Sequence, residues 1–300
     1  MPRLRQPARS IPKGVTMAAD AFPHVQVVPC PDAVSFQLDG RELLAYQFGL
    51  ERQRPYVFPV RGPSGKLVTR IGHPHDPVGH RHHYSLWCAH YRLNGHDFWA
   101  DTPGCGKQVH QFVLELEDGA DRAHLVAQVH WVTAAGELLL DEKRRVGVRL
   151  LEGGEYLLDC DSEVKAATDV ELEKTNFAWL AVRVAKTMGV HDGGGTITNS
   201  DGAVNEKAIF WNRAWWCDYS GRVAPDEVTG ITFFPHPRNR NHPPQWHVRE
   251  DGWMAPCPFF EKGARLGNGE TLTLRHRLHV HSGPVNAARA NGLLEEYAAQ

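Results

Sequence analysis

VHQFVLELEDG (109–119), RAHLVAQVHWVTAAG (122–136), ELLLDEKRRVGVRLLEGG (137–154) and EYLLDCDSEVKAATDVELEK (155–174) follow one another with almost nothing between them. Apolar and polar residues alternate through all four. A period of two is that of a strand, which turns successive side chains to opposite faces. Asp159, Asp161, Glu163 and Lys165 take every second position of the fourth segment, as expected of a sheet with one buried and one wet face. Long strands joined by turns of a few residues describe an antiparallel meander.

The same period extends outward. HVQVVP (24–29) and AVSFQLDG (33–40) read as a hairpin, RELLAYQFG (41–49) as a further strand, and 54–71 as two strand pieces around Gly62-Pro63-Ser64-Gly65. Downstream, FAWLAVRVA (177–185) is continuously apolar, which predicts a central strand. The stretch 188–209 is the longest irregular segment; its Gly193-Gly194-Gly195 lacks the Gly-Lys-Ser/Thr ending of a phosphate loop. Strands resume at 211–223 and 228–237, and 237–260 reads as a Pro-rich loop. Residues 270–283 form a half-buried strand that places His276 in the core, and 285–300 is the one convincing helix. The expectation is an all-β fold: a large antiparallel β-sandwich, residues 21–300 as a single domain, with one C-terminal helix. Residues 1–20 carry four basic residues and no apolar run of signal length, so they read as a disordered leader, with Met17 as an alternative start.

Composition narrows the partners. A chain 42% hydrophobic and 23% charged, with a formal net charge of -2, has no electrostatic bias towards nucleic acid or an anionic membrane surface. No run approaches the roughly 18 apolar residues of a membrane span. Six scattered cysteines without a C-x-x-C pair point to reduced, structural thiols and a cytoplasmic location. Homo-oligomerisation stays open. The nine tryptophans and twelve phenylalanines include planar faces that suit sugar rings as well as a core. No nucleophile elbow, G-x-G-x-x-G, Walker loop or H-E-x-x-H helix is present, so a nucleotide cofactor is not expected.

Chemistry concentrates in HPHDPVGHRHHYSLWCAHYRLNGHDFW (73–99), which holds seven of the eighteen histidines. Imidazole serves near neutral pH as base, acid or metal ligand. His73, His75, Asp76, His80, His82 and His83 lie on a loop feeding a strand over HHYSLW, with His83, Ser85 and Trp87 on one face. His75, His80 and His82 are the candidate ligands for a divalent zinc, manganese or iron ion. Asn94-Gly95 then makes a hairpin turn that brings Asp97, Phe98 and Trp99 back alongside. A second patch, His236, Arg238, Arg240, His242, Trp246, His247 and Arg249, punctuates the late loop, and both patches converge if they share one end of the sandwich. Arg183 on an apolar strand needs a buried partner or a cavity.

Four stretches carry a resemblance: GHRHHYSLWCAHYRLNGHDFW (79–99), GKQVHQ (106–111), WNRAWWCDYSG (211–221) and GITFFPHPRNRNHPPQWHVREDGWMAPCPF (230–259). They resemble a soluble bacterial family carried under the name methane oxygenase PmoA, a family without established function. The resemblance covers about residues 25–283. Where that family often has Arg in the first motif this chain has Tyr84, so no anion-binding role transfers to that position. It implies a sandwich similar to the galactose-mutarotase-like supersandwiches, in bacteria rich in carbohydrate-degrading enzymes. Methane oxidation by a membrane subunit is excluded by the missing span.

The reading that follows is a cytoplasmic carbohydrate-active enzyme, a lyase, hydratase, epimerase or hydrolase of a sugar or keto-sugar derivative, with metal assistance as an option. His83 and His247 exchange protons with the substrate, Asp97 orients an imidazole or a hydroxyl, and Arg183 and Arg249 hold developing negative charge. Trp87, Trp99 or Trp246 stacks on the ring, with His236 and His242 in the binding set. The alternatives are a non-catalytic carbohydrate-binding or sensor module and a metal-dependent oxygenase.

Overall fold

In the computed structural model the described residues are 23–72 and 80–300. The expected leader and the candidates His73, His75 and Asp76 lie outside them. Two eight-stranded sheets and one four-stranded sheet make up the fold. The first large sheet runs, edge to edge, Val25–Pro29, Ala33–Leu38, Arg41–Gln47, Tyr56–Val60, Leu86–Cys88, Leu180–Arg183, Trp253–Cys257 and Gln245–Arg249. The second runs Thr196–Asn199, Cys217–Ala224, Glu227–Pro235, Thr271–Ser282, Tyr156–Ala166, Leu138–Leu150, Arg122–Val132 and Lys107–Glu117. The paired strands are antiparallel, and the expected sandwich is present, with the central strand at Leu180–Arg183.

Alternation decides what each face holds. Leu86, Leu180, Val182, Met254, Trp246 and Val248 of the first sheet share a core with Leu125, Val146, Leu158 and Leu278 of the second. Also fully buried between the sheets is an ion pair: Glu142 accepts from Arg144 Nη2 at 2.6 Å, Trp131 Nε1 at 2.7 Å and Ser162 Oγ at 2.6 Å. The C-terminal helix, Ala287–Ala298, is capped by the Asn286 side chain, which accepts from Arg289 N at 3.0 Å. Its buried residues Ala290, Leu294 and Tyr297 cluster with Trp216 and Phe234. Two shorter helices, Val190–Gly193 and Asn205–Ile209, and the strand Thr196–Asn199 occupy the stretch read as irregular.

Two sequence expectations are corrected. The late segment 237–260 is not all loop, because Gln245–Arg249 pairs with Trp253–Cys257 as a hairpin, Arg249 opposite Trp253. Its turn is Glu250-Asp251-Gly252, with Gly252 at φ 107°. The strand expected over HHYSLW covers Leu86–Cys88 only. Ser85 stands at φ 64°, in the left-handed region, and breaks the extension.

Candidate functional site

The outer face of the first sheet carries a cavity of about 420 Å³, lined by His80, His82, His83, Trp99, Phe177, His247, Arg249, Asp251 and Trp253. Strand alternation builds its floor. With Trp246 and Val248 turned to the core, His247 and Arg249 point out, as do Trp253 on the partner strand and Arg183 opposite Trp253. Ala181 and Ala255 share this face with Trp87 and Trp253, and their small side chains leave room for the larger rings.

The break at Ser85 brings the histidines in. In an extended strand His83 and Trp87 would stand about 13 Å apart. Here the chain folds back, and their rings stack with centroids 4.8 Å apart. His83 N donates to His80 O at 3.0 Å, closing a turn, and the rings of His80 and His83 lie 4.6 Å apart and nearly parallel, 6° between planes. His82 meets His83 edge-on at 4.6 Å. Gly72 crosses this turn so closely that a Cβ there would stand 2.1 Å from His80 O.

On the opposite wall, His247 Nδ1 lies 3.1 Å from Asn176 O. A carbonyl only accepts, so Nδ1 carries the proton and Nε2 keeps its lone pair. Phe177 stacks on Trp99 at 4.6 Å and on His247 at 5.8 Å, and Trp253 touches both His247 (4.3 Å) and His83 (5.1 Å). Burial pushes His82 and His247 down to about 4, and holds His83 well below the ordinary imidazole value, with His82 and Arg183 adding to it. All three are neutral at pH 7.

Charge is supplied by Arg183 and Asp251. The fully buried guanidinium donates from Nη1 to Asp251 Oδ1 at 3.0 Å and approaches His83 Nδ1 at 3.5 Å. Asp251 Oδ2 stands 3.8 Å from His80 Nε2. Arg249 reaches the cavity while pairing with Glu206 at 3.0 Å.

One ring nitrogen from each of His80, His82 and His83 lies within 4.8 Å of the other two, close enough to hold a metal ion. A tetrahedral zinc with nitrogen ligands at ~2.1 Å sets them about 3.4 Å apart, each ion–nitrogen bond lying in its ring plane. Two parallel rings share no such plane, so His80, the more exposed, must turn before it and His83 bind one ion. Of the expected set His75, His80 and His82, the latter two lie together with His83, and His75 is outside the described residues.

Of the other expected site residues, Trp99 lines the cavity and Trp87 lies just beneath it, 1% exposed under His83. Trp246 is no stacking platform: one position from His247, it faces the opposite way, is fully buried, and donates from Nε1 to Ala214 O at 2.9 Å. Asp97 does not orient an imidazole. Its Oδ1 accepts from the backbone N–H of Trp99 (2.6 Å) and Ala100 (3.0 Å), while Arg54 donates to the carbonyls of the same two residues at 2.8 Å. It positions Trp99. His236 is buried against Tyr297 of the C-terminal helix, and His242 packs edge-on against Trp215; neither lines the cavity. Phe177, Asp251 and Trp253 were not among the expected site residues.

No curated protein matches the chain. Among solved structures, a galactose 1-epimerase from Lactobacillus acidophilus NCFM is similar at 8% identity and a TM-score of 0.44, over 87% of this chain and 98% of that one. A heparan sulfate lyase from Pedobacter heparinus is similar at 9% identity and a TM-score of 0.42, over 87% of this chain; this chain spans 37% of the lyase. The methane-oxygenase name expected from the motifs finds no support. Over residues 33–295 the sequence matches the model of a family of unknown function, DUF6807, and the chain belongs to that family.

Proposed function

We propose that the cavity binds a sugar or keto-sugar derivative and that the chain is an enzyme moving a proton on it with His247 and His83. The observation that carries this is His247. Its Nδ1–H is fixed on a backbone carbonyl, and Nε2, which makes no hydrogen bond among the described residues, belongs to a ring that lines a cavity walled by Trp99, Phe177 and Trp253. A neutral imidazole with a fixed tautomer is a proton acceptor, and aromatic walls supply the apolar faces on which a pyranose stacks. Arg183, fully buried behind the cavity between His83 and Asp251, acts on the substrate only through His83, whereas Arg249 is the guanidinium that lines the cavity and can face a developing enolate. Asp251 is the one carboxylate lining the cavity among the described residues, and it is bound to Arg183. That favours proton abstraction, as in epimerisation or elimination, over hydrolysis by two carboxylates. Six unpaired cysteines, five of them buried, accord with a cytoplasmic location, and no described helix is long and apolar enough to cross a membrane.

The histidine cluster supports a second form of the same reading, in which His80, His82 and His83 hold a divalent ion that polarises the substrate. The test is proton NMR in deuterated water on a panel of hexoses, uronates and keto-sugars. Enzyme-dependent loss of one carbon-bound proton signal, absent in His247→Ala, supports proton transfer. Exchange at the wild-type rate in that variant refutes it.

A further inference from the structure

The outer face of the second sheet holds a hollow of about 420 Å³ that the histidine cavity does not use. Five guanidiniums, those of Arg122, Arg145, Arg149, Arg275 and Arg277, line it against two carboxylates, Asp159 and Asp161. Register places them: Arg145, Asp161 and Arg275 form one row across three strands, and Gly147, Asp159 and Arg277 the next.

A plain salt-bridge ladder would satisfy these groups within the rows. Arg277 is so satisfied, donating to both oxygens of Asp159 at 2.7 and 3.0 Å, and at the edge of the hollow Arg122 donates to Asp121 at 3.2 Å and Arg149 pairs with Glu296 at 2.6 Å. Arg145 Nη1 stops 4.0 Å from Asp159 and Arg275 Nε stops 3.9 Å from Asp161, both beyond hydrogen-bond reach, while Arg275 Nη1 approaches the neutral ring of His236 at 3.3 Å. Gly147 lets the Arg145 guanidinium lie low against the sheet, since a Cβ there would meet its Nη1 at 3.0 Å. With Asp121 and Glu296 matched to Arg122 and Arg149, the positive excess narrows to Arg145 and Arg275 facing Asp161; it is local, on a chain of net charge -2, so general attraction of anions does not explain it. Burial, with Asp159 beside it, raises Asp161 to about 6, which lowers the negative charge of the hollow as pH falls towards that value. Planar guanidinium forks match the oxygens of phosphate and sulfate.

We propose that this hollow is a binding site for a tetrahedral oxyanion, a phosphate or sulfate group, held by Arg145, Arg275 and Arg277 on the side of the sandwich away from the histidine cavity. The test is isothermal titration of the full chain at pH 7.5 with inorganic phosphate, sulfate and citrate at constant ionic strength. Saturable binding of phosphate or sulfate with Kd below about 1 mM is expected. It should weaken at least tenfold in Arg145→Ala/Arg275→Ala and in Gly147→Asp, which sets a carboxylate on the floor, with thermal unfolding showing that each variant is folded. No saturable binding of either tetrahedral anion by the wild type, binding of citrate alone, or wild-type affinity in a folded variant overturns the proposal. The two tetrahedral arms separate a phosphate ligand from a sulfate one.

Discussion

His276 gives the sharpest pH prediction. It lies on Thr271–Ser282, is 1% exposed and packs edge-on against Phe233 at 5.7 Å. Burial pushes it from the ordinary 6.5 down to about 3. As pH falls, the unfolded chain therefore takes the proton first. The stabilisation from keeping the ring neutral is complete above 6.5 and is lost as pH falls through the window from 6.5 towards 3. Between pH 7.5 and 5.0 the loss from this one group is about 2 kcal/mol. Replacing it by a group that does not titrate, His276→Gln, changes packing by an amount that does not depend on pH but removes this slope. Asp161, raised to about 6 by burial, works in the opposite sense, gaining stability as pH falls, but it is present in both proteins and cancels in the difference. Urea unfolding of both at pH 7.5 and 5.0 measures it: the wild type should lose about 2 kcal/mol more than the variant. Equal losses would refute a neutral buried imidazole at this position.

Three further outcomes are expected. Trp246→Ala should cost 3–5 kcal/mol, roughly the range for emptying a core Trp site, and leave ligand binding by the folded fraction intact, whereas Trp99→Ala should weaken binding; calorimetric melting and titration separate the two. Glu142→Ala strands the Arg144 charge between the sheets and should destabilise by about 3–5 kcal/mol in urea unfolding; a loss below about 1 kcal/mol would show that Arg144 is hydrated there. If the histidine cluster holds a metal, elemental analysis should find close to one zinc, manganese or iron per wild-type chain and a clear loss in His82→Ala; equal content in both removes that form of the mechanism.

The sheets were legible because burying one face imposes a period of two, and Asn94-Gly95 announced its turn with φ values of 48° and 80°. Which face of a strand meets the other sheet was not legible. Trp246 and His247 differ by one position, and only the second sheet behind Trp246 decides that His247 is the one turned outward. Ser85 hid the fold-back that stacks His83 on Trp87, because a serine carries no warning of a left-handed backbone. Asp251-Gly252 was a readable hairpin turn, masked by Pro243, Pro244, Pro256 and Pro258 around it. Asp97 shows the limit of residue type as a guide: its position next to Trp99 was informative, but a carboxylate so placed serves the backbone as readily as a substrate. Phe177 and Trp253 belong to the site through the tertiary fold alone.

The proposed role of His83 and His247 is tested most directly by measuring ligand binding and turnover in His247→Ala and His83→Ala, with a substrate found by deuterium exchange. Retained binding with turnover lost in both variants is expected of imidazoles that carry the proton. Unchanged turnover in both would contradict that role and place the proton transfer on another group.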